Sequence, residues 1–139
     1  MAGRPPPPFV DSNVLLYLLS SDAAKADRAE ALLAHGATIG VQVLNEIVAV
    51  ARRKLDMPWR EIDELLALLR ARCSVHALTL AVHERALELA RRHRFAWYDA
   101  LIVGAAVEAG CDVLYSEDMH DGLRVGGRLT IRDPFRGAA

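Results

Sequence analysis

Phe9-Val10-Asp11-Ser12-Asn13-Val14-Leu15 is the stretch from which the fold can be read. Phe9 and Val10 are large and apolar, and they suit a short buried strand that ends at Asp11. Asp11, Ser12 and Asn13 are residue types whose side chains accept hydrogen bonds from the free N–H groups opening a helix. They are therefore expected to cap a helix from about Val14 to Leu19. The chain thus passes from strand to helix with a carboxylate at the junction.

The same alternation continues outward. A helix is predicted over Ala24–Ala34, closed by Gly36, and a brief strand over Ala37–Gly40. From Val41 to Lys54, Leu44, Ile47, Val48 and Ala51 recur at the spacing of one helix face. Pro58 opens the next helix at a position that tolerates a missing N–H, with Ile62, Leu65, Leu66 and Leu69 as its stripe. Cys73–Ala77 reads as a strand. Val82, Ala86, Leu89 and Ala90 mark a helix ending in Arg91-Arg92-His93-Arg94. Asp99 starts a helix over Ala100–Ala109 that is apolar nearly all round and closes at Gly110, so it should be central. Asp112–Tyr115 and Leu129–Ile131 complete the strands. Strands that alternate with helices specify an α/β fold, a mostly parallel sheet with helices on both faces. Sites in such folds lie beyond the carboxyl ends of the strands. Asp11 follows one strand, and Ser116-Glu117-Asp118 follows another.

Size and composition set the bounds. The 139 residues suit one domain with one core, and 53% hydrophobic with 25% charged residues is globular rather than disordered. No apolar run is long enough to span a membrane, and Met1-Ala2-Gly3-Arg4 lacks the apolar core of a secretory signal. Pro5–Pro8 read as a stiff leader into the first strand. Cys73 and Cys111 are too few for a disulfide scaffold and lack zinc-motif spacing, which fits reduced, buried thiols in a cytoplasmic protein. A net charge of −1 argues against gripping nucleic acid by bulk positive charge. It leaves room for an acidic site with basic patches at its rim, such as Arg52-Arg53-Lys54 or Arg91-Arg92-Arg94.

Asp11, Glu46, Asp99 and Asp118 are the candidates for chemistry. Each has an ordinary reading on its own: a helix cap, a solvated face, a favourable place in a helix dipole, a turn. Together they say more. Glu46 lies four residues after Gln42 on an otherwise apolar helix, and Asp99 opens the most buried helix. Clustered carboxylates repel one another and hold protons unless a cation neutralises them. Oxygen-only ligation suits Mg2+ or Mn2+.

These residues sit in Phe9–Leu15, Asn45-Glu46, Trp97-Tyr98-Asp99-Ala100-Leu101-Ile102 and Leu114-Tyr115-Ser116-Glu117-Asp118-Met119, followed by Asp121-Gly122 and Asp133-Pro134-Phe135. In the order and spacing of these blocks the chain resembles the PIN-domain ribonucleases, and among them the VapC-type toxins of bacterial toxin–antitoxin pairs. The resemblance implies a PIN-like three-layer domain over residues 9–135, between a Pro-rich stub (1–8) and a short tail (136–139). It implies that Asp11, Glu46, Asp99 and Asp118 are catalytic and hold the metal, Mg2+ or Mn2+. Asn13 and Ser116 would be supporting polar groups, and Asp121 either an outer ligand or a turn residue. The implied reaction is hydrolysis of RNA with water rather than the 2′-hydroxyl attacking, and the resemblance implies products with 5′-phosphate and 3′-hydroxyl ends. A cognate antitoxin and a homodimer are the implied partners. Asp133 stands where many of these toxins have asparagine, far from the acids. Trp97 and Tyr98 could stack on a base, but they are expected to pack around Asp99.

Other readings fit parts of the pattern. A PIN nuclease in RNA maturation, outside any toxin pair, would share every residue named. A fold kept only as an interaction scaffold would be expected to lose an acid, and all four are present. A phosphoacceptor or phosphatase module also uses a strand-end aspartate with Mg2+. It further needs a lysine near the phosphate, and Lys25 and Lys54, the two lysines, lie in predicted helices.

Overall fold

The structure, a computed structural model, describes residues 5–136. The outermost stub residues, 1–4, and the tail from 137 onward lie outside them. Six strands form one sheet in the order β3-β2-β1-β4-β6-β5. The strands are β1 (Phe9–Val10), β2 (Ala37–Gly40), β3 (Cys73–His76), β4 (Val113–Tyr115), β5 (Arg124–Val125) and β6 (Leu129–Arg132). All neighbouring pairs are parallel except β5–β6. The helices are α1 (Ser12–Leu15), α2 (Ala23–Ala34), α3 (Val41–Arg53), α4 (Trp59–Arg72), α5 (Leu80–His93) and α6 (Trp97–Glu108).

The expected α/β architecture is present. Every residue of β1 and β2 is buried, as parallel strands covered on both faces must be. Phe9, Ile39, Leu114 and Ile131 are wholly enclosed and join the main core. Pro5–Pro8 do lead into β1. The Pro7 carbonyl accepts from Thr38 Oγ1 at 2.8 Å and the Pro8 carbonyl from the Thr38 N–H at 2.9 Å.

The central helix is α6, whose residues Ala100–Ala106 are all buried. Gly104 explains how it packs so closely on α5. A Cβ at that position would stand 3.2 Å from both the Val82 carbonyl oxygen and the Ala86 nitrogen, so the two backbones meet with no side chain between them.

Beyond shifts of one residue at other element ends, two helix starts and one strand differ from the sequence reading. The first helix starts at Ser12, earlier than Val14, and after Leu15 it tightens into a 3-10 turn, Leu16–Leu19. The last helix begins at Trp97, which puts Asp99 in its first turn rather than ahead of it. The pair Arg124–Val125 forms an unexpected antiparallel edge strand, β5. Gly126 and Gly127, at φ +62° and +80°, adopt the left-handed backbone that turns it into β6.

This topology places the site. From β1 the chain moves to β2 and β3 on one side, then returns to lay β4 on the other side of β1. Such a reversal leaves a crevice outside the carboxyl ends of the two central strands. Val10 and Tyr115 end β1 and β4 in register, so the residues that follow them emerge side by side.

Candidate metal centre

Asp11 leaves the end of β1 with its own N–H still donating to the Tyr115 carbonyl at 2.9 Å. It also caps α1, since its Oδ1 accepts from the Ser12 N–H at 2.6 Å. The capping role and the site role are therefore held by one side chain. Ser116 emerges from β4 beside it, wholly buried, with its N–H donating to the Arg132 carbonyl of β6 at 2.9 Å.

Three of the four acids converge. Asp11, Asp99 and Asp118 each bring a carboxylate oxygen within 4.8 Å of the others. Asp11 is 3% exposed, Asp99 half-buried and Asp118 exposed, so the group is closed behind and open in front. Glu46, on α3, stands one step back. Its Oε1 accepts from Ser12 Oγ at 2.7 Å and its Oε2 from Gln42 Nε2 at 3.3 Å. The polar pairing of Gln42 with Glu46 is as the helical spacing predicts.

The supporting groups bridge the acids. Ser116 Oγ lies 2.9 Å from Asp11 Oδ2 and 3.1 Å from Asp118 Oδ1. Asn13 Nδ2 donates to Ser116 Oγ at 3.3 Å, which leaves the single hydroxyl proton for the carboxylates. Asn13 Oδ1 in turn accepts from the Glu117 N–H at 3.2 Å, tying the loop after β4 to the start of α1. Asp121 faces elsewhere. Its Oδ1 accepts from the Asp133 N–H at 2.9 Å, and its Oδ2 lies 3.7 Å from Arg136, as suits a residue that shapes the turn.

The electrostatics are those of a charge trap without a counter-charge. Burial, reinforced by the charges of Asp118 and Glu46, pushes the Asp11 carboxyl up to about 7, although the Ser116 hydrogen bond works the other way. Asp99 is raised too, first by burial and then by the same two neighbours. Among the described residues, no ion pair engages any of the four acids. A carboxylate cluster with one buried member and no basic partner is a poor arrangement for a metal-free protein and a good one for a hard divalent cation. The donor set therefore fits Mg2+ or Mn2+.

The sequence reading missed two features. Ser12 links Glu46 to the acidic group; the only signal was its place directly after Asp11. Lys25, Tyr17 and Glu117 form a polar cluster next to the site, in which Lys25 Nζ pairs with Glu117 and lies 3.1 Å from Tyr17 Oη. Tyr98 also departs from expectation. It is 62% exposed beside Asp99, not packed around it, whereas Trp97 sets its ring edge-on to His83.

With this geometry in view, comparison with known proteins is decisive for the family. The model of the PIN domain matches residues 9–121, the stretch that carries all four acids. The chain belongs to the PIN-domain family. No curated protein matches the sequence. Among solved structures, a toxin–antitoxin complex from Klebsiella pneumoniae superposes with a TM-score of 0.69 at 16% identity, covering 92% of this chain and 98% of that one. The sarcin–ricin-loop-cleaving toxin VapC20 of Mycobacterium tuberculosis gives 0.65 at 23% identity, covering 79% and 88%. VapBC2 of Rickettsia felis, bound to a promoter DNA fragment, gives 0.62 at 17% identity, covering 90% and 98%. At these identities the likeness is one of fold, and it agrees with the PIN assignment.

Proposed function

We propose that this PIN domain is an endoribonuclease dependent on Mg2+ or Mn2+, and that it serves as the toxin of a toxin–antitoxin pair in the cytoplasm. The observation that carries the proposal is the convergence of Asp11, Asp99 and Asp118 with no basic partner. The likeness to structures described as toxins supports the biological half of it.

Asp11, Asp99 and Asp118 would ligate the cation directly, with Glu46 adding to the negative field that acts on Asp11 and Asp99. A divalent cation bound there would supply a water of lowered pKa and would neutralise charge that builds on the phosphoryl oxygens. The protein's part is orientation. Ser116 and Asn13 hold Asp11 and Asp118 at a fixed separation, and α6 presents Asp99 from the third side. Exposed Asp118 leaves the front open to a phosphodiester. RNA is the proposed substrate, a cognate antitoxin the proposed inhibitor, and a homodimer the proposed assembly.

Lys25 weighs against the phosphoacceptor alternative. Its ammonium group is engaged by Glu117 and Tyr17 and is not paired with Asp11. The test is cleavage of a panel of structured RNAs, a sarcin–ricin stem-loop among them, with Mg2+ or Mn2+. Cleavage should vanish with EDTA and in Asp99→Asn, which should keep its fold. Full activity in folded Asp99→Asn would overturn the site.

A further inference from the structure

Asp118 is the most exposed of the converging acids, and among the described residues its side chain has one hydrogen-bond partner, Ser116 Oγ. Its position therefore depends on the loop that carries it. That loop is fastened through the preceding residue. The Glu117 backbone N–H is held by Asn13, and the Glu117 carboxylate is held by two further residues. Tyr17 Oη donates to one of its oxygens, and Lys25 Nζ pairs with the other.

The holders are themselves fixed. Lys25 lies in the first turn of α2, where its N–H donates to the capping Asp22 at 3.2 Å. Its ammonium group sits 4.7 Å from the Tyr17 ring centre and 5.1 Å from that of Phe135. The two rings meet edge to face at 5.0 Å. Tyr17 belongs to the 3-10 turn after α1, and Phe135 to the segment after β6, which is pinned to α2 by Arg28 Nε donating to the Pro134 carbonyl at 2.9 Å. Four separate segments, carrying Tyr17, Lys25, Glu117 and Phe135, thus meet around the Lys25 ammonium group. An isolated exposed ion pair contributes little, but this one is shared three ways and shielded by two rings, with Glu117 only 27% exposed.

We propose that Lys25 and Tyr17 are positioning residues which, through Glu117, fix the loop bearing Asp118 and thereby set the affinity of the centre for a divalent cation. This rests on the metal-dependent reading of the acids. It does not require either residue to touch the metal or the RNA.

The sign of one effect separates this role from simple charge. Lys25 is a cation close to a cation site. If it acted only through its field, Lys25→Met would remove a repulsive charge and tighten divalent binding. If it acts by positioning, Lys25→Met weakens binding despite the lost repulsion. The experiment is calorimetric titration of the full chain with Mn2+ at pH 8, with circular dichroism in EDTA to verify the fold. Lys25→Met should bind Mn2+ about tenfold more weakly, the lower end of what losing a supporting contact around a metal ligand costs. Tyr17→Phe keeps the ring contact with Phe135 and loses only the hydroxyl. It should weaken binding about fivefold, as one ordinary hydrogen bond would. The double variant Lys25→Met/Tyr17→Phe should fall short of the product of the two, because both act on one carboxylate. Wild-type or tighter Mn2+ binding by folded Lys25→Met and Tyr17→Phe would overturn the positioning role. No Mn2+ binding by the wild type would instead overturn the metal reading, and this inference with it.

Discussion

Asp11 should make the metal-free protein less stable as pH rises, opposite to the usual behaviour of a carboxylate held in an ion pair. In the folded chain its carboxyl keeps its proton up to about 7, whereas the ordinary value is 3.8. Between those values the native state binds more protons than the unfolded state, so stability must fall with increasing pH. The stabilisation is fully present below about pH 4 and is lost as pH rises through 7. About three pH units correspond to about 4 kcal/mol in all, of which about 2–3 kcal/mol lies between pH 5 and pH 8. That is a large part of the total stability of a domain this size. The assay is urea denaturation in EDTA at several pH values, with Asp11→Asn beside the wild type. The variant cannot titrate at that position, so the difference between the two curves isolates Asp11 from the histidines. A divalent cation should reverse the trend: it competes with the proton for the same oxygens, so the stabilisation gained from Mg2+ should grow from pH 5 to pH 8. Wild-type stability that tracks Asp11→Asn across this range would refute the claim that Asp11 is a buried carboxyl raised by its surroundings and awaiting a cation.

Other consequences concern single side chains. Ser116→Ala removes the hydroxyl shared by Asp11 and Asp118. Mn2+ affinity should fall about tenfold, and the Asp11 carboxyl, followed by carbon NMR, should titrate still higher. Glu46→Gln removes a charge that raises both Asp11 and Asp99, so both should titrate lower. Because Glu46 lies outside the group of three converging oxygens, Mn2+ titration should show a smaller loss for Glu46→Gln than for Asp118→Asn. Gly104→Val drives a side chain into the backbone of α5 and should cost about 1–3 kcal/mol in urea denaturation, whereas in Gly104→Ala the gain in helix propensity offsets part of the clash.

Much of this was legible in the sequence because the signals are local. Phe9-Val10 followed by three capping residues specifies a strand running into a helix. The unbroken apolar stretch after Asp99 specifies a central helix, and α6 is that helix. Asp11, Asp99 and Asp118 could be chosen because they sit at or just beyond the ends of such elements, and Glu46 because it shares a polar stripe with Gln42 within α3. What escaped depends on distance in the chain. Lys25 and Glu117 are 92 residues apart, and nothing in either neighbourhood announces the other. The β5 strand is two residues long and gains its shape from pairing with β6, so it has no periodicity to read. Tyr98 was misplaced because an aromatic beside a buried helix is ordinarily drawn inward. Here the first turn of α6 still lies at the surface, and only from Ala100 onward is the helix enclosed.

The end groups of the cleaved RNA test the central claim most directly. If the aspartates of this PIN domain direct a water molecule onto phosphorus and the 3′-oxygen is the group that leaves, every new end is a 5′-phosphate facing a 3′-hydroxyl, and no cleavage should occur in EDTA. Products ending in 2′,3′-cyclic phosphate and 5′-hydroxyl would show that the ribose hydroxyl is the nucleophile, and would contradict the account.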